Sequence, residues 1–131
     1  MAQIGLAEAH TQWISTVVED VLDPDLPILD PHHHLWLDKG HTGWPYTLDD
    51  LHDDTGSGHN VVGTVFLECR AQYRNDGPIH LRPVGETEFV IELAEESTAS
   101  SGAEIKAIQG NADVSLGAAV EEVLEAHDNA G

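Results

Sequence analysis

Apolar residues recur at three- and four-residue spacing through Trp13, Ile14, Val17, Val18, Val21 and Leu22, which predicts one amphipathic helix over residues 6–22. Asp23-Pro24-Asp25-Leu26-Pro27 ends it, because proline cannot donate a helical hydrogen bond and disfavours helical geometry in the residue before it. The pattern then turns strand-like and predicts a first strand over residues 28–34. Thr47, with Asp50 three positions on, has the form of a capping box and predicts a short helix over 48–53. The nearly continuous apolar run at 61–69 suits a strand buried on both faces of a parallel sheet. Phe89, Val90 and Leu93 mark the inner side of a helix over 86–97, with Glu86 and Glu88 in its first turn, where carboxylates complement the helix dipole. Ile105-Lys106-Ala107-Ile108-Gln109-Gly110 reads as a third strand. Ser115 is a plausible cap for a last helix over 118–127, with Val120, Val123 and Leu124 on one side.

The order is one helix followed by strand and helix three times over, an α/β pattern suited to parallel strands joined by right-handed crossovers. Residues 1–26 form an N-terminal helix and linker, and residues 27–131 hold about three βα units. Such a series also reads as the N-terminal part of a (β/α)8 TIM barrel, an architecture of roughly 250 residues. On that reading the 131 residues hold an incomplete domain.

Composition narrows the partners. Five Lys and Arg stand against 24 Asp and Glu, a formal net charge of -19. Phosphate binding draws on clustered basic residues, so no nucleic-acid partner is expected and an anionic membrane surface is disfavoured. The acid excess suits a high-salt cytoplasm and equally an ordinary acidic bacterial protein. Cys69 is the single cysteine, so no internal disulfide is expected. No basic-then-apolar leader opens the chain and no apolar run approaches the roughly 18–20 residues of a membrane span, which makes a cytoplasmic location the expectation. An open three-strand sheet with an unpaired edge also makes self-association into a homo-oligomer an expectation.

The chemistry concentrates in Pro27-Ile28-Leu29-Asp30-Pro31-His32-His33-His34-Leu35-Trp36. Alternate residues of a strand share a face, so Asp30, His32 and His34 are expected on one side and His33 on the other, toward the helical shell. Two imidazoles on one face at a strand end can reach one metal ion together, although two ligands do not complete a site. Pro31 removes a ladder donor and predicts a bulge or break there. Glu68 ends the second strand, and the loop after it gathers Tyr73, Arg74, His80 and Arg82, with Arg suited to holding an anionic substrate by bidentate pairing. His41, His52, His59 and His127 read as surface or loop histidines.

Three blocks in this order, Ile28-Leu29-Asp30-Pro31-His32-His33-His34-Leu35-Trp36, Gly58-His59-Asn60-Val61-Val62-Gly63-Thr64-Val65-Phe66-Leu67-Glu68-Cys69 and Leu81-Arg82-Pro83-Val84-Gly85-Glu86-Thr87-Glu88-Phe89-Val90, resemble the N-terminal part of the amidohydrolase-2 family. That family comprises metal-dependent hydrolases of TIM-barrel fold, and the likeness is closest to its lactonase branch. The resemblance implies that His32 and His34 are the first-strand metal pair, that the ion is divalent, with zinc the first choice, and that the remaining ligands and the catalytic acid or base lie beyond Gly131. It implies a small-molecule substrate, a lactone, ester or amide, attacked by metal-activated water. Asp30 would support a ligating histidine from behind, while Trp36, Glu68, Tyr73 and Arg74 would line the substrate pocket. Two features depart from the pattern: Asn111 stands where close relatives carry a histidine, and the loop at 39–46 is more elaborate than usual. The alternatives are a non-oxidative decarboxylase of the same barrel family and a non-catalytic metal-binding α/β module.

Overall fold

The computed structural model describes residues 6–38 and 43–131. Three strands, β1 (Ile28–His33), β2 (Val61–Leu67) and β3 (Glu104–Gln109), form one parallel sheet in the order β1-β2-β3. Helices α1 (Leu6–Ile14), α2 (Leu48–Thr55), α3 (Val84–Ala99) and α4 (Val120–Asp128) complete the architecture, with 3-10 turns at Ile79–Leu81 and Val114–Ala119. Among the described residues, no helix is long and apolar enough to cross a membrane.

The α/β reading with three parallel strands holds, and the departures from the predicted spans have local causes. The first helix stops at Ile14 rather than running to residue 22. The hydroxyls of Ser15 and Thr16 bond back to the carbonyls of Gln12 and Trp13, offering the backbone an alternative to continued helix. Among the described residues nothing covers the apolar face that would prolong the helix, for Trp13, Val17, Val18 and Leu22 are exposed. At the next helix the capping box forms as predicted: Thr47 N–H donates to Asp50 Oδ2 at 2.8 Å and Asp50 N–H to Thr47 Oγ1 at 3.4 Å. β2 ends at Leu67, two residues short of the apolar run, because the Cys69 N–H is taken by the Glu86 carboxylate instead of a neighbouring strand.

The core lies on one side of the sheet. Phe66 of β2 and Ile105 of β3 pack with Leu48 and Leu51 of α2, Val90 of α3 and Leu35. Ser97 pins α3 to β3 from within, accepting the Ile105 N–H at 3.0 Å while donating to the Ala94 carbonyl. On the opposite side, Leu29 and Lys106 close over Gly63, where no Cβ would fit, and both are exposed. Among the described residues β1 and β3 each have one strand neighbour, so the sheet is open at both edges.

Candidate metal centre

β1 does not keep simple alternation to its end. Asp30 pairs with Thr64 and His33 with Phe66, so three steps along β1 match two along β2. This is the irregularity that Pro31 predicts, and it re-phases the faces. Asp30 and His33 fall in register with buried Thr64 and Phe66, and His33 meets the Phe66 ring edge-on at 5.7 Å. Burial holds the His33 ring at a pKa of about 4, so it is neutral at pH 7. The bulge breaks the simple alternation expected of Asp30, His32 and His34, although all three still line one cleft, and Asp30 Oδ1 accepts the main-chain N–H of His32 at 3.1 Å.

His32 and His34 nevertheless converge. Their Nε2 atoms stand 3.1 Å apart with the rings nearly perpendicular. His34 Nδ1 lies 2.8 Å from the Leu67 carbonyl, which can only accept, so Nδ1 carries the hydrogen and Nε2 presents its lone pair toward His32. Two imidazole nitrogens on one zinc at about 2.0–2.1 Å and tetrahedral angles stand roughly 3.3 Å apart, so the pair fits the bite of a single ion. The Leu67 carbonyl supplies the outer hydrogen bond that fixes a ligating histidine's tautomer and ring plane. Without metal, the same two nitrogens can share one proton as a hydrogen bond. Among the described residues, no group of three or more His, Cys, Asp or Glu side chains is placed to hold an ion.

A cleft of about 400 Å³ brings Asp30, His32, His34 and Trp36 together with Tyr46 and Asp54. Trp36 and Tyr46 exchange main-chain hydrogen bonds at 2.8 and 3.0 Å, which close the base of the intervening loop. The Tyr46 hydroxyl donates to Asp54 Oδ2 at 2.7 Å, fixing that base to α2. The Trp36 ring lies 5.5 Å from His34 and its buried indole N–H has no hydrogen-bond partner among the described residues. Residues 39–42 of the loop, His41 among them, lie outside the described residues.

The other pocket candidates, Glu68, Tyr73 and Arg74, do not line this cleft. Glu68 and Tyr73 face each other, hydroxyl to Oε2 at 3.5 Å, and burial with the charges of Glu86 and Glu68 pushes the Tyr73 phenol up to about 12. Arg74 is engaged by Glu88 of α3 through both Nε and Nη2, which leaves its fork committed to a surface carboxylate. Asn111, at the position of the departure noted above, offers its carbonyl to His127 Nε2 at 2.9 Å.

Glu86 stands in the first turn of α3 as expected but turns inward, and His52 and His127, read as surface or loop histidines, are half-buried on α2 and α4. Glu86 is 1% exposed. It reaches back to accept the N–H groups of Cys69 at 3.0 Å and Ala71 at 2.7 Å on Oε1, while its buried Oε2 has no partner among the described residues. Desolvation raises its pKa against the lowering effect of those hydrogen bonds. Burial and the Glu86 charge likewise push the Cys69 thiol up to about 11, so it is no nucleophile at neutral pH. His127 is half-buried and ties α4 to α3, with Nδ1 2.8 Å from Thr87 Oγ1. The run Pro83-Val84-Gly85-Glu86 held a usable signal, since a carboxylate one turn into an apolar helix start is placed to turn inward.

Comparison with known protein families, curated proteins and solved structures gives no match. The functional reading therefore rests on this geometry and on the residues themselves.

Proposed function

We propose that the chain carries the first βα units of an amidohydrolase-type barrel hydrolase, in which His32 and His34 hold a divalent ion, zinc first among them, for hydrolysis of a lactone, ester or amide. The observation that carries this reading is the 3.1 Å approach of the two Nε2 atoms, with His34 oriented by the Leu67 carbonyl. The parallel order β1-β2-β3 and the two unpaired edges support the barrel part of the proposal. When bound, such an ion polarises the substrate carbonyl and lowers the pKa of a water molecule.

The chain's own residues do the rest of the work assigned here. Leu67 holds the His34 hydrogen on Nδ1, Asp30 fixes the His32 main chain, and the Trp36–Tyr46 bridge shapes one wall of the cleft. Further ligands and the general base come from outside the described residues. A cytoplasmic setting belongs to the same reading, and the free Cys69 thiol is compatible with a reducing compartment.

Zinc titration followed by histidine side-chain NMR tests the proposal. One equivalent should shift both rings, and His32→Ala or His34→Ala should each weaken binding at least tenfold. Zinc binding that survives the double substitution would overturn the site. The convergence of only two imidazoles favours a second reading, a metal-binding module without turnover; zinc-dependent hydrolysis of a lactone and ester panel, lost in the same variants, decides against it.

A further inference from the structure

Arg70 follows β2 by three residues and adopts φ 65, with Gln72 beside it at φ 51. Both are left-handed conformations that disfavour an L side chain, and such strain persists only where the surrounding structure enforces it. The enforcing group is Glu86, whose Oε1 holds the N–H of Cys69 and of Ala71, the residues on either side of Arg70. A buried carboxylate and a strained main chain, each unfavourable alone, therefore act together to fix the backbone from which Arg70 projects.

Arg70 is exposed. Arg74 pairs with Glu88 and Lys106 with Glu104, and the Arg82 Nε is buried. Arg70 has no ion-pair partner among the described residues, in a chain of net charge -19. Its charge is felt at Tyr73, where it opposes the upward push of Glu86 and Glu68. It lies three residues beyond Leu67, the carbonyl that orients His34.

We infer that Arg70, held out by the Glu86 clamp, is a specificity residue that binds the carboxylate of an anionic substrate at the C-terminal end of β2. The planar fork matches a planar carboxylate, which it can hold through two parallel N–H donors. The inference rests on the hydrolase reading for its substrate, but the anion site itself needs no metal.

The test uses chelator-treated protein titrated with butyrate, and with butyramide as the neutral counterpart, followed by amide and arginine Nε–H resonances. Butyrate should shift Arg70 and Ala71 saturably and butyramide should not. Arg70→Gln should weaken butyrate binding at least tenfold, with Lys106→Gln within twofold of the parent. Arg70→Gly should lose the binding while raising the melting temperature, since glycine relieves the left-handed strain. Equal response to butyramide, unchanged affinity in Arg70→Gln, or an equal loss in Lys106→Gln would overturn the assignment. If zinc fails to engage His32 and His34 while butyrate still requires Arg70, the anion site stands and the metal reading falls.

Discussion

His34 donates its Nδ1 hydrogen to the carbonyl of Leu67 across the β1–β2 boundary, at 2.8 Å. The tautomer of the ring is thereby set by the main chain of another strand. Nitrogen-15 shifts of the His34 ring should report a protonated Nδ1 and a bare Nε2 at pH 7.5, in the parent and in His32→Ala alike. Loss of that tautomer in His32→Ala would mean that the partner imidazole, not Leu67, sets the ring.

Glu86 supplies the pH prediction. Its folded pKa is raised above the ordinary value of 4.5, so the folded state binds the proton more readily than the unfolded one. Its contribution to stability is fully present below about 4.5 and is lost as pH rises through the raised folded value. Glu86→Gln keeps an oxygen acceptor and removes the ionisation. The difference in unfolding free energy between variant and parent, from urea melts, should therefore move in favour of the variant as pH rises from 4.5 toward 7. A difference that is flat with pH would show that the carboxylate titrates alike in both states.

Gly85 lets the loop after β2 lie against α3. A Cβ there would come within 2.7 Å of the Arg74 nitrogen and the Gln72 oxygen, both main-chain atoms that cannot swing aside. Gly85→Ala should cost about 1–3 kcal/mol by overpacking. Amide shifts should concentrate in residues 70–74. A neutral result by thermal melt would place the loop further from the helix.

Thr47→Ala removes the hydroxyl that accepts the Asp50 N–H and donates to Asp50 Oδ2 at 2.8 Å, leaving only the main-chain N–H of residue 47 on that carboxylate. The expected loss is about 1 kcal/mol, with faster hydrogen exchange at the first turn of α2. Thr47→Ser should restore most of it.

What could be read from residue order follows from how local each feature is. The Thr47 cap was legible because both partners lie within four residues. The irregularity at Pro31 was legible because a missing N–H is a property of one residue. The re-phasing of Asp30 against Thr64 was not, since it depends on how β2 meets the bulge. Glu86 was read as a helix-dipole carboxylate because nothing local reveals that Cys69 and Ala71 will present their N–H groups to it. The first helix was overextended because apolar spacing reports a face, whereas persistence of the helix depends on something covering that face.

The bulge at Pro31 also makes the two borders of the sheet unequal. β1 lacks an amide hydrogen at Pro31 and breaks register there, whereas β3 runs through six residues without proline. β3 also shifts register once, between the partners of Thr64 and Val65, but it keeps an amide hydrogen at every residue, so an incoming extended chain finds a full row of donors along β3 and a missing one along β1. Growth of the sheet is therefore vectorial, and the proline that shapes the histidine pair also guards the border beside it against templated aggregation.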